Sequence, residues 1–186
     1  MSIFTLICAA FAWEPIDDGG PAISWPSGNP ETVWKISSNY PSADMSSSAV
    51  QTAFANGINE WGAPGCTSFN ASQGSNTSAS PDDFNDNNNT IGFFENNWPS
   101  SYGQYTLAVT LPMYYQGYEE IISADMIYNG EDFDFKNGTP SAWEDADLQS
   151  VAAHEFGHWI GFDHSSYPGS TLTASYSGGT SERTIT

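Results

Sequence analysis

His154-Glu155-Phe156-Gly157-His158-Trp159-Ile160-Gly161-Phe162-Asp163-His164 has the spacing H-E-x-x-H-x-x-G-x-x-H. His154 and His158 are four residues apart, so on a helix they stand one turn above each other on one face. One metal ion can take both imidazoles there. Glu155 follows the first of them and can reach a water on that metal. Gly161 falls just past the helical run, where a left-handed residue ends a helix at little cost. The chain then turns, and His164 returns as a third ligand. Three protein ligands and one open position describe a catalytic zinc site rather than a structural one. The chain has 3 His, and all of them occupy ligand positions of this one pattern, which argues against coincidence.

Upstream, Ser141-Ala142-Trp143-Glu144 has capping-box spacing, and Glu144, Asp145 and Asp147 suit a helix N-terminus. The metal-binding helix is therefore expected over residues 145–160, with Leu148, Val151, Ala152 and Phe156 facing the core. Further back, residues 121–128 and 106–115 read as strands, the first ended by the turn dipeptide Asn129-Gly130. Residues 90–95 give another strand, and 67–71 a short one. Residues 72–90 form a long polar loop in which Asp82, Asp83, Asp86, Asn87 and Asn88 supply the oxygen ligands that calcium takes, without an EF-hand register. Val50, Phe54, Ile58 and Trp61 recur at helical spacing, which predicts an amphipathic helix over 46–61, stopped by Gly62 and Pro64. A strand over 33–37 precedes it. Residues 13–30 are rich in Pro, Gly and Asp and read as an extended arm.

The eleven-residue motif resembles that of the metzincin zinc metalloendopeptidases, and Ser165 after the third His resembles the matrixin branch, the matrix-metalloproteinase-like enzymes. The resemblance covers roughly residues 31–182. It implies an α+β catalytic domain: a twisted mixed five-stranded sheet, two main helices, and the motif on the second helix. It also implies a sheet edge strand beside the substrate cleft, either residues 106–115 or 121–128. The family carries a Met below the metal in a tight turn. Here Ser170-Thr171-Leu172-Thr173-Ala174-Ser175-Tyr176 resembles that turn, with Thr173 where Met is expected. Tyr176 either flanks the cleft, as a Tyr does in several relatives, or is a surface aromatic. Ser123-Ala124-Asp125-Met126 resembles a matrixin strand whose Asp helps bind calcium, so Asp125 is a calcium candidate; from the strand alone it reads as exposed. No His remains for a second, structural zinc. Neither Cys8 nor Cys66 sits where a cysteine-switch propeptide would place it. The closing helix of the relatives has no counterpart before Thr186.

Composition bounds the rest. Hydrophobic residues make up 39% and aromatics 15% of the 186 residues, enough for one domain with a proper core. Lys and Arg number 3 against 22 Asp and Glu, a formal net charge of −19. Such a surface repels phosphate backbones and anionic membranes. Nucleic acid is thus an unsuitable partner, and no segment is apolar enough for a membrane span. The apolar run at residues 1–12 ends Ala10-Phe11-Ala12 and reads as a short secretory signal; its cleavage leaves Cys66 unpaired. The sequons at Asn70, Asn76, Asn88 and Asn137 fit glycosylation, but an Asn- and Ser-rich chain also produces such triplets by chance.

These readings converge on a catalytic domain over 31–186: a monomeric, secreted zinc endopeptidase acting on proteins or peptides. One zinc is held by His154, His158 and His164, Glu155 is the catalytic base, and calcium is a second candidate cofactor. The rival reading is a metal-stabilised binding domain of the same fold without turnover, suggested by Thr173.

Overall fold

The computed structural model describes residues 14–17, 19–26, 32–64, 69–83, 86–115, 117, 120–176 and 183–185. The signal-like run at 1–12, with Cys8, and Cys66 lie outside these residues. In chain order come β1 (Glu14–Pro15), β2 (Thr32–Ile36), α1 (Ser47–Gly62), β3 (Ala71–Gln73), β4 (Thr90–Phe94), β5 (Ala108–Tyr114), β6 (Ile121–Asn129), β7 (Asp134–Lys136), β8 (Asp145–Asp147), α2 (Leu148–Trp159) and β9 (Phe162–Asp163).

Among the described residues the main sheet has five strands in the order β3-β2-β4-β6-β5. It is mixed: β2 pairs in parallel with β3 and β4, β4 in parallel with β6, and β5 antiparallel to β6. The expected α+β architecture of mixed sheet and two main helices is therefore present. β6, between two neighbours, is almost wholly buried, as a central strand should be. β5 forms the edge, which settles which of the two candidate strands is free to pair. It also accounts for Pro112, because a residue without an N–H is tolerated on an edge strand.

The core lies between the sheet and both helices. Trp34, Phe54, Phe93, Tyr128, Phe135, Phe156 and Trp159 are all buried within it. Rings meet mostly edge-on or tilted, as in Trp34–Phe156 at 6.0 Å and Phe54–Tyr128 at 5.2 Å, the geometry that the ring quadrupole favours. Their indole N–H groups also fix the second helix. Trp61 Nε1 donates to Ala153 O at 2.7 Å, and Trp159 Nε1 to Ala124 O at 2.9 Å. α2 is thereby tied to α1 near its middle and to β6 near its end.

α1 agrees with its apolar stripe: Val50, Phe54, Ile58 and Trp61 are buried, and Ser46 caps it by accepting from Ala49 N. Most expected boundaries shift by one or two residues, and two elements begin further from the sequence reading. The short strand falls at Ala71–Gln73, where it pairs with β2, and not at 69–70; residues 67 and 68 of the expected strand lie outside the described residues. α2 begins at Leu148, not at 145, because Asp145 is engaged otherwise. Its carboxylate accepts from Ser141 N, Ser141 Oγ and Ala142 N and pairs with Lys136. Residues 141–145 thus form a turn that feeds β8 against β7, and Asp147, not Ser141, is the N-cap. Among the described residues no helix is long and apolar enough to cross a membrane.

Candidate metal centre

α2 places His154 and His158 on one face, and the turn after it brings round the third imidazole. Gly161 makes that turn with φ +104°, and a Cβ there would meet Ile23 O at 2.5 Å. Only glycine suits both the angle and the approach. The N-terminal arm braces the same turn: β1 pairs antiparallel with β9, Ile16 N donates to Gly161 O at 2.8 Å, and Trp25 Nε1 to Trp159 O at 2.7 Å. The described residues of the arm turn back on themselves, Ile23 N donating to Ile16 O at 3.0 Å, and are tied down beside His164.

His154, His158 and His164 each offer a nitrogen to one point, with ligand atoms all within 4.8 Å of one another. It is the one such cluster of metal-ligating side chains among the described residues. His154 Nδ1 lies 2.7 Å from Thr171 O, and His158 Nδ1 lies 2.7 Å from Phe162 O. A carbonyl only accepts, so both rings carry their proton on Nδ1. With neither ring protonated at Nε2, the two Nε2 lone pairs face each other at 3.0 Å, a repulsive contact that a cation between them relieves. Two nitrogens about 2.0 Å from a tetrahedral zinc stand roughly 3.3 Å apart, close to the spacing present. Burial lowers the pKa of His154, and burial with the neighbouring His158 lowers that of His164. Both rings are therefore neutral at pH 7, the form that ligates. The donor set fits zinc.

Glu155 is buried, yet its side chain lines a cleft of about 490 Å³ that also holds the three His. Thr110 of β5 donates to Glu155 Oε2 at 2.6 Å. The cleft is also lined by residues 105–110, leading into and along the edge strand, and by residues 171 and 173–176. Thr173 and Tyr176 are both among its lining residues. Thr173 is only half-buried, and the fully buried apolar residue of the turn is Leu172. Tyr176 is anchored rather than loose: its hydroxyl accepts from Asp147 N at 3.2 Å.

Asp125 stands apart from this centre, on β6, and is buried rather than exposed. It accepts from Thr90 N at 2.7 Å. Burial and the charges of Asp86, Asp83 and Asp82 raise its pKa to about 7, against the pull of that N–H. The acidic loop and Asp125, widely separated in sequence, are therefore electrostatic neighbours.

Three contributors escaped the sequence reading: Thr110, Ile16 and the pair Asp147–Arg183. Arg183 reaches back to the start of α2, where its Nε and Nη2 donate to the two Asp147 oxygens at 2.9 and 2.6 Å. No motif marks such residues, because their roles exist only through the fold.

A family model described as matrixin matches residues 24–186 of the chain. No curated protein matches it.

Proposed function

The chain belongs to the matrixin family of metallopeptidases, and we propose that it is a secreted, monomeric zinc endopeptidase that hydrolyses peptide bonds with Glu155 as general base. The observation that carries this is the facing pair of Nε2 lone pairs beside a carboxylate in an open cleft. His154, His158 and His164 would hold the ion. When bound, zinc supplies a Lewis acid that polarises a carbonyl and acidifies a water.

Glu155 takes the proton from the attacking water as the new C–O bond forms. It then hands that proton to the amine nitrogen as the C–N bond breaks. A carboxylate suits both steps, since it can accept and return one proton without moving far. Among the described residues β5 has β6 as its one strand neighbour, and its outer edge offers backbone groups along which an extended peptide can align. Calcium is proposed as a second ion, at Asp125 with the acidic loop of residues 82–86.

Two variants test this reading. Glu155→Gln should keep zinc but lose nearly all cleavage of a mixed peptide library, because an amide cannot take the proton. His158→Ala should lose zinc and cleavage together. Near-parental activity in Glu155→Gln would refute the mechanism. Zinc binding by the parent without any chelator-sensitive cleavage would favour the binding-domain reading.

A further inference from the structure

Thr110 points its hydroxyl at the base from the strand that borders the cleft. Its Oγ1 lies 2.6 Å from Glu155 Oε2 and 3.1 Å from Glu155 O. The hydroxyl has one proton. The carboxylate is the nearer and the charged acceptor, and Glu155 O already has a helical partner, so the proton goes to Oε2. A β-branched side chain on a strand has few rotamers, and Thr110 is paired in register with Met126 of the buried β6. The donor is therefore held stiffly by the sheet, while its acceptor belongs to α2.

We propose that Thr110 is a positioning residue of the active site: its hydroxyl bond holds the Glu155 carboxylate at a set distance from the edge of β5, so the strand that aligns a peptide also aligns the base. The proposal rests on Glu155 being the general base. A glutamate otherwise samples several rotamers, few of which place its carboxylate against the scissile bond. Misplacement by about 1 Å can cost around a hundredfold in rate. Sequence reading sees in Thr110 only one member of an alternating strand.

The test compares Thr110→Val, which keeps the branched shape and removes the donor, with Thr110→Ser, which keeps the donor. Val should lower kcat by about tenfold to a hundredfold, with KM and zinc content little changed, and Ser should recover most of that loss. The contact itself is read in chelated protein, by melting temperature. Thr110→Val should lower it in the parent but not in a Glu155→Ala background, the signature of a direct interaction. The proposal is overturned by an unchanged kcat in the Val variant, by equal loss in Val and Ser, by loss of zinc alongside kcat, or by equal melting shifts in both backgrounds. If the parent cleaves nothing, the peptidase reading fails by itself, and the thermal cycle still decides the contact.

Discussion

Gly157 and Leu172 are in contact so close that a Cβ on Gly157 would fall 2.5 Å from Leu172 Cδ2 and 2.6 Å from Trp61 Cζ2. Gly157 lies between His154 and His158 on α2. Leu172 follows Thr171, whose carbonyl holds the His154 ring. The glycine thus lets the turn sit against the helix at the point where the His154 ring is oriented.

Gly157→Ala should accordingly destabilise the fold although alanine is the better helix former. The propensity gain is about 1 kcal/mol, whereas overpacking a close contact costs roughly 1–3 kcal/mol. Leu172 can move its end, but the Trp61 ring is tied to Ala153 O. Net destabilisation of about 1 kcal/mol and faster zinc loss to a chelator are expected, measured by thermal unfolding and metal release. A more stable variant with unchanged zinc retention would show that the contact relaxes freely.

The start of α2 gives a second prediction. Asp147 caps the helix by accepting from Ser150 N and Ser150 Oγ, and its buried carboxylate is paired with Arg183. Burial pushes its pKa up, but the Arg183 and Ser150 hydrogen bonds outweigh this and hold it below the usual value. A depressed carboxylate contributes stability that is present above its unfolded pKa, about 3.9, and is lost as pH falls through the folded value. Arg183→Gln should cost about 2–3 kcal/mol near neutral pH, as expected for a buried charge stripped of its partner. The deficit should shrink in acid below pH 4, and melting curves across that range would check both statements. A deficit that stays constant with pH would mean that packing, not charge, holds this residue.

How much of this was legible beforehand depends on the range of the interaction. The three His and Glu155 were readable because one helix and one turn bring them together, and helical spacing is a local rule. α1 was readable for the same reason. The start of α2 was misplaced because the capping signal at Ser141 competed with a longer-range one: Lys136 and the turn at 141–142 capture Asp145. Asp125 was read as exposed because strand alternation cannot reveal burial on both faces of a central strand. Thr110 and Arg183 act through residues 45 and 36 positions away, beyond any periodicity.

Thr173 tests how the turn beside the three His tolerates a residue other than Met. Leu172 already fills the buried position, and Thr173 is half-buried on the cleft wall. Thr173→Met should therefore add little stability, at most about 1 kcal/mol. Its bulk should instead show in the cleft, as a higher KM for peptides with large side chains and little change for small ones. A large rise in melting temperature with unaltered KM would place this residue beneath the metal after all.

Asp125 supplies the last prediction. Its folded pKa is raised to about 7, first by burial and then by Asp86, Asp83 and Asp82, against about 3.9 in an unfolded chain. Between these values the folded state holds a proton that the unfolded state has released, so this group's contribution falls as pH rises from about 4 to about 7 and is then constant. Asp125→Asn removes the charge while its amide oxygen can still accept from Thr90 N. In chelated protein the variant should thus melt higher than the parent at pH 8, with the gap closing towards pH 4. A divalent cation between Asp125 and the acidic loop would reverse the sign by offsetting the buried charge. Calcium should then raise the parent's melting temperature by a few degrees at pH 8 and hardly at all at pH 5, where protons occupy the site. The same calcium should do little for Asp125→Asn. Equal calcium shifts in both proteins at both pH values would remove Asp125 from the list of calcium ligands, and a pH-independent gap in chelated protein would show that its carboxyl is not raised.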